Sequence, residues 1–398
     1  MANEKALVLF ICFMILQAAM VAAADLKSCK FDQIYQLGDS TSDTGNYILE
    51  TSNLTAFPCA HPPYGETFFK KVTGRCSDGL LMIDYIAKAA GLPFLNPYKN
   101  KDADFRHGAN FAVAGATALP DHVLAAKNIP LTRTHSSLDV QLDWMFTHFN
   151  SICLDDHDCA KKLKSALFFV GKIGPDDYSY PLLLQGRPVE EMKAMAPEVV
   201  DAIAEGVRRV IKSGGVKIVV PGSFPIGCLP VFLTDFQTHD DADYDDHNCV
   251  RKLNDVAKHH NNLVIKAIEK LKKENPNTVI VYGDYYNAFL NLIRNAKKLG
   301  FSKIELRKAC CGTGGDYNFN VTRLCGTAGV PVCPQPEKFI SWDEAHITQH
   351  GHQIMSDWVI SDILPKLECI LDSRVEHKAW KRSCNVPVKA SKNDVSTI

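Results

Sequence analysis

Four short apolar runs recur along this chain, each stopped by polar, glycine or proline residues and followed by a helical pattern. That alternation leaves few folds open. The runs are Ile34–Leu37, Ser165–Ile173, Val216–Val220 and Thr278–Tyr282. Each is nearly continuous in apolar residues, as expected of a strand buried on both faces. Segments with helical spacing lie between and after them: Asp78–Ala90, residues 137–150, Pro188–Lys212, Cys249–Lys273 and His352–Leu371. The pattern predicts an α/β fold, a parallel central sheet covered by helices on both faces. Pro197 is expected to break or restart its helix, because proline lacks an N–H and clashes with the preceding turn. No internal repeat and no long linker divides the chain, so residues 25–384 are expected to form one domain, with 385–398 a disordered tail.

The N-terminus reads as a targeting segment. Lys5 precedes the apolar run Ala6–Met20, and Val21-Ala22-Ala23-Ala24 supplies small residues for cleavage, so residues 1–24 are expected to be a secretory signal peptide. No later stretch reaches the roughly 18 apolar residues of a membrane span. The net charge of −1 gives no basic footprint for nucleic acid. Of 14 cysteines, Cys12 falls in the signal, which leaves an odd number in an oxidising compartment. Cys153 and Cys159 flank a short acidic loop and could close it. Cys310, Cys311, Cys325 and Cys333 are expected to staple a glycine-rich loop. A zinc site is the rival reading, but paired CxxC spacing is missing, so no metal is expected. Asn53-Leu54-Thr55 and Asn320-Val321-Thr322 are sequons, placing candidate glycans on Asn53 and Asn320. The six aspartates between residues 235 and 247 read as a solvated loop.

Chemistry enters where the first run ends, at Gly38-Asp39-Ser40-Thr41-Ser42-Asp43-Thr44-Gly45-Asn46. A serine there has its hydroxyl at the carboxyl end of a strand, where open α/β sheets bind ligands, and is expected near a helix N-terminus. A plain turn would also use these residues. A serine needs a histidine to take its proton, and the histidine needs a carboxylate to orient it. Asp343 and His346 stand three apart, close enough to share one side of a turn. His350 and His352 lie close by and need no catalytic role.

The chain resembles the plant GDSL esterase/lipases of the SGNH hydrolase superfamily, from about residue 31 to 371. The resemblance rests on the block around Ser40 and on Gly108-Ala109-Asn110-Phe111-Ala112-Val113-Ala114-Gly115-Ala116-Thr117. It also rests on Gly171-Lys172-Ile173-Gly174-Pro175-Asp176-Asp177-Tyr178 and Trp342-Asp343-Glu344-Ala345-His346. Gly74–Gly79, Phe224–Pro230 and Ala309–Gly312 are similar too. The resemblance implies a flavodoxin-like three-layer α/β/α sandwich. It implies Ser40 as nucleophile, His346 as general base and Asp343 as its orienting carboxylate, with the backbone N–H groups of Ser40 and Gly115 as an oxyanion hole. It implies no cofactor and a small-molecule ester as partner; the chain is expected to be a monomer, and its signal segment to direct it to the apoplast or vacuole. The family acts on lipids, acetylated polysaccharide, phenolic choline esters and acetylated alkaloids. The pattern is most like the specialised-metabolite branch with alkaloid and sinapate-type esterases. An acyltransferase using the same triad is the alternative.

Two positions depart from the family pattern. Thr41 replaces a leucine that does no chemistry. Asp176 replaces the asparagine that donates the third oxyanion hydrogen bond, and an ionised aspartate cannot donate. Asp176 must then be protonated, with Asp177 as the neighbour favouring its neutral form, or be dispensable, or mark a catalytically weakened binding homologue.

Overall fold

The computed structural model describes residues 26–130 and 133–369; the expected signal peptide and tail lie outside them. Five parallel strands form the sheet: β1 (Gln33–Leu37), β2 (Gly108–Asn110), β3 (Ala166–Val170), β4 (Lys217–Pro221) and β5 (Val279–Gly283). Their spatial order is β2-β1-β3-β4-β5, with Leu37 opposite Val170 and Tyr35 opposite Ala109. This is the flavodoxin-like order, in which the crevice between β1 and β3 is the topological switch point. Ser40 follows β1 and Asp176 follows β3, so the sheet delivers both to that crevice. The four expected strands are present to within a residue or a few at each end. β2 was not expected as a strand: only three residues pair, and small side chains carry no apolar signal. Gly108 shows why the run must be small, since a Cβ there would lie 1.8 Å from the Ile34 carbonyl oxygen.

Helices pack in two groups. Leu138–Ile152, Val189–Lys212 and Arg251–Glu274 pack on one another and on β1, β3 and β5. Met82–Ala90, Tyr285–Arg294 and Gln349–Ile363 pack together, the last also touching β5. The sheet between them is dry: every residue of β3 is buried, and Tyr35 of β1 stacks on Phe168 at 5.2 Å. Pro197 does not break its helix, which runs unbroken over 24 residues. Pro197 faces solvent, so the carbonyl that loses its partner can be hydrated.

All twelve cysteines among the described residues are paired. Cys153–Cys159 closes the acidic loop, and Cys310–Cys333 with Cys311–Cys325 staples the glycine-rich loop. Cys29–Cys369 joins residues 340 apart in sequence, and Cys59–Cys76 and Cys228–Cys249 complete the set. The acidic stretch 235–247 folds as a loop around local caps, with Asp245 accepting from Asn254 Nδ2 at 2.7 Å.

Candidate active site

A serine and an Asp-His pair some three hundred residues further along the chain meet at the rim of the sheet. His346 Nε2 lies 2.8 Å from Ser40 Oγ. On the other side of the ring, His346 Nδ1 lies 2.8 Å and 2.9 Å from the two carboxylate oxygens of Asp343. Asp343 is fully buried and also accepts from the Tyr64 hydroxyl at 2.7 Å and from the Ala345 and His346 backbone N–H groups. Burial opposes its ionisation, yet the imidazole and these donors hold its pKa below the ordinary carboxylate value. Burial also disfavours the imidazolium of His346, but Asp343, joined by the charges of Glu344 and Asp39, outweighs that, so the histidine pKa is raised.

The turn carrying Ser40 is built by two buried aspartates. Asp39 accepts from Thr41 N at 3.0 Å and Thr41 Oγ1 at 2.7 Å, and pairs with Lys172 Nζ at 2.6 Å. Asp43 accepts from the N–H groups of Gly45, Asn46 and Tyr47, so it caps the helix Asn46–Glu50, and it reaches across to Ala114 N at 2.9 Å. Ser40 therefore sits in a turn, six residues ahead of that helix along the chain. One carboxylate ties the serine turn to the stretch that ends in Gly115. Gly115 has φ +81°, and a Cβ there would come within 2.8 Å of the Tyr180 hydroxyl oxygen and of Arg133 Cβ. The Tyr180 hydroxyl donates to the Gly115 carbonyl at 2.7 Å, which fixes the orientation of that loop.

Ser40, Gly115, Asp176 and His346 all line a cavity of about 600 Å³ whose walls are largely apolar, with Phe57, Phe224, Phe232 and Phe319 among them. Cys59 and Cys76 bring their sulfurs to within 4.8 Å of the His346 ring nitrogen. The two sulfurs are bonded to each other, so they offer no thiolates to a metal ion.

The family model described as GDSL-like Lipase/Acylhydrolase matches residues 34–359. The chain belongs to the GDSL lipase/acylhydrolase family. Acetylajmalan esterase of Rauvolfia serpentina is 47% identical over 341 residues, 86% of this chain and 88% of its own length. Acetylajmalan esterase 1 of the same plant is 46% identical over 349 residues, covering 88% and 90% of the two chains. Sinapine esterase of Brassica napus is 40% identical over 347 residues, 86% of this chain and 88% of its own. This GDSL chain is accordingly a carboxylic ester hydrolase with the three-layer α/β/α fold.

In this GDSL hydrolase the acid at position 176 stands on the cavity wall and its carboxyl makes no hydrogen bond among the described residues. Burial, and next the charge of Asp39, push its pKa up to about 6, against the opposing effect of Lys172, Arg133 and His346. The neighbour that matters most is therefore Asp39 across the turn, rather than the expected Asp177. Asp177 turns inward and accepts from the Ala118 and Leu119 N–H groups at 2.8 Å and 2.9 Å, holding the segment just beyond Gly115. His350 bonds the Leu299 carbonyl at 2.9 Å, and His352 is buried, its pKa lowered by burial to about 3. Asn53 and Asn320 are both exposed, and Asn320 lies between two residues of the cavity rim, Phe319 and Val321.

Sequence reasoning missed Tyr64, Lys172 and Gln141. Gln141 clamps both the N–H and the carbonyl of Gly38 at 2.9 Å. It stands beside Leu138, Leu142 and Met145 on a buried helix face, and a lone amide on an apolar face was the available signal. Tyr64 lies in a proline-rich loop and carries no such signal.

Proposed function

We propose that the protein is a serine esterase of the secretory route in which Ser40 is the nucleophile, His346 the general base and Asp343 the carboxylate that orients it. The observation that carries this reading is the unbroken relay from Ser40 Oγ through His346 to Asp343, opening on an apolar cavity. Ser40 would attack the ester carbonyl while His346 takes its proton. The tetrahedral oxyanion would be met by the Ser40 and Gly115 N–H groups, and His346 would return the proton to the leaving alcohol. Water then enters by the same steps in reverse order and frees the acid. Asp176 would complete the oxyanion site in its neutral form, because a carboxylic acid that keeps its proton in an apolar site can donate a hydrogen bond to an oxyanion. Its raised pKa supports this.

The substrate is taken to be an ester of a small specialised metabolite, in line with relatives named for acetylajmalan and sinapine. Six disulfides and two exposed sequons support passage through an oxidising compartment and delivery to the apoplast or vacuole. The test is active-site labelling. A fluorophosphonate should modify wild-type protein at Ser40. Ser40→Ala should escape labelling and lose activity on p-nitrophenyl acetate by ~10³-fold or more. Full activity in that variant would overturn the assignment.

A further inference from the structure

One acid on the cavity wall takes no part in the relay. Glu344 stands between Asp343 and His346, and its carbonyl accepts from Val231 N at 3.0 Å, which fixes it against the helix Pro230–Asp235. It lines the cavity, where its carboxyl is met by its own backbone N–H and forms no ion pair with another described residue. Leu229, Val231 and Phe232 line the same cavity, so this carboxyl shares its wall with apolar side chains. Asp235, four residues after Val231 and on the same helix face, adds a second acid towards the rim.

An acid in an apolar wall is costly unless a cation or donor meets it. The cationic groups of the cavity are mostly committed elsewhere. Lys172 is held by Asp39 and His346 by Asp343, while Arg133 influences Glu344 without forming an ion pair with it. Burial, followed by Asp343, raises the Glu344 pKa to about 7, and an arriving cation would draw the proton off. The aromatic rings around the cavity suit the same kind of ligand, because ring faces attract cations.

We propose that Glu344 is a specificity residue: it receives a positively charged group of the ester substrate, an ammonium carried on an otherwise apolar molecule. The proposal rests on the reading of Ser40 as nucleophile, and its test separates the two. Two phosphonothioate reagents are compared, alike except that the thiol leaving group ends in trimethylammonium in one and tert-butyl in the other. In both, Ser40 Oγ bonds to phosphorus, the P–S bond breaks and the thiolate leaves, with the serine proton passing to His346. The wild type should be labelled faster by the cationic reagent, on the order of tenfold, as for one partly buried charge pair. Glu344→Gln should bring the ratio of the two rates close to one, and Glu344→Asp, which keeps the charge, should retain much of it. General damage to the site cancels in that ratio. Equal rates in the wild type, or a preference that survives Glu344→Gln, overturns the role of Glu344 and leaves the esterase reading standing. Absence of labelling by either reagent overturns both.

Discussion

In the proposed mechanism a carboxyl at position 176 sets two protonation demands against each other. Asp176 can donate to an oxyanion only with its proton on, below its pKa of about 6. His346 can act as a base only with its proton off, above a pKa that Asp343 helps to raise. Few molecules satisfy both at once, so the wild-type profile of kcat/KM should be a low, narrow bell. Asp176→Asn supplies a donor at every pH. The expected result is a profile with a single rise through the His346 titration and a gain of ~10-fold or more at pH 8. A variant no more active than wild type at that pH would show that the aspartate does something an amide cannot. The residues around this conflict differ in how readable they were. Ser40, Asp343 and His346 stand in short blocks whose residue types already name the chemistry, and the structure brings all three together. Lys172 and Tyr64 act through partners 133 and 279 residues away, and no local pattern announces such a bond.

Among the elements, those with long apolar periodicity were legible and those defined by pairing alone were not. β3 and the helix Arg251–Glu274 carry their burial in sequence. β2 exists because Ile34, Tyr35 and Gln36 offer it a partner. The helix Tyr285–Arg294 was missed because it starts two residues after β5, within what reads as one apolar stretch. The helix through Pro197 shows tertiary packing overriding a local penalty: Ala196, Val199 and Val200 are buried beside an exposed proline. Pro197→Ala should restore the missing N–H and relieve the clash without touching the cavity. Unfolding measured in denaturant should show stabilisation of about 1–3 kcal/mol, with kcat/KM unchanged. A loss of stability would mean that the ring itself holds the helix in a bend the packing needs.

Across the whole molecule, buried acids set the pH response. Burial is the largest cause raising Asp177 to about 8, Glu344 to about 7, and Asp43 and Asp176 to about 6. The folded state thus binds protons that the unfolded chain releases, so stability is lost as pH rises through these values and gained as it falls. Burial depresses His148 to about 4 and His260 and His352 to about 3, and these work in the opposite sense once pH drops below the ordinary histidine range. Tm should therefore climb by a few degrees from pH 8.5 to 6.5 and then level off. Calorimetry at constant ionic strength checks this, and a flat or falling Tm over that interval would contradict it.

The Cys29–Cys369 bond makes the domain a closed covalent ring in all but name. A protease that severs any exposed loop between those two positions leaves both fragments attached. The sheet order places the two ends of such a cut on a scaffold that nothing has untied, so a clipped molecule can keep its architecture and, with it, its cavity.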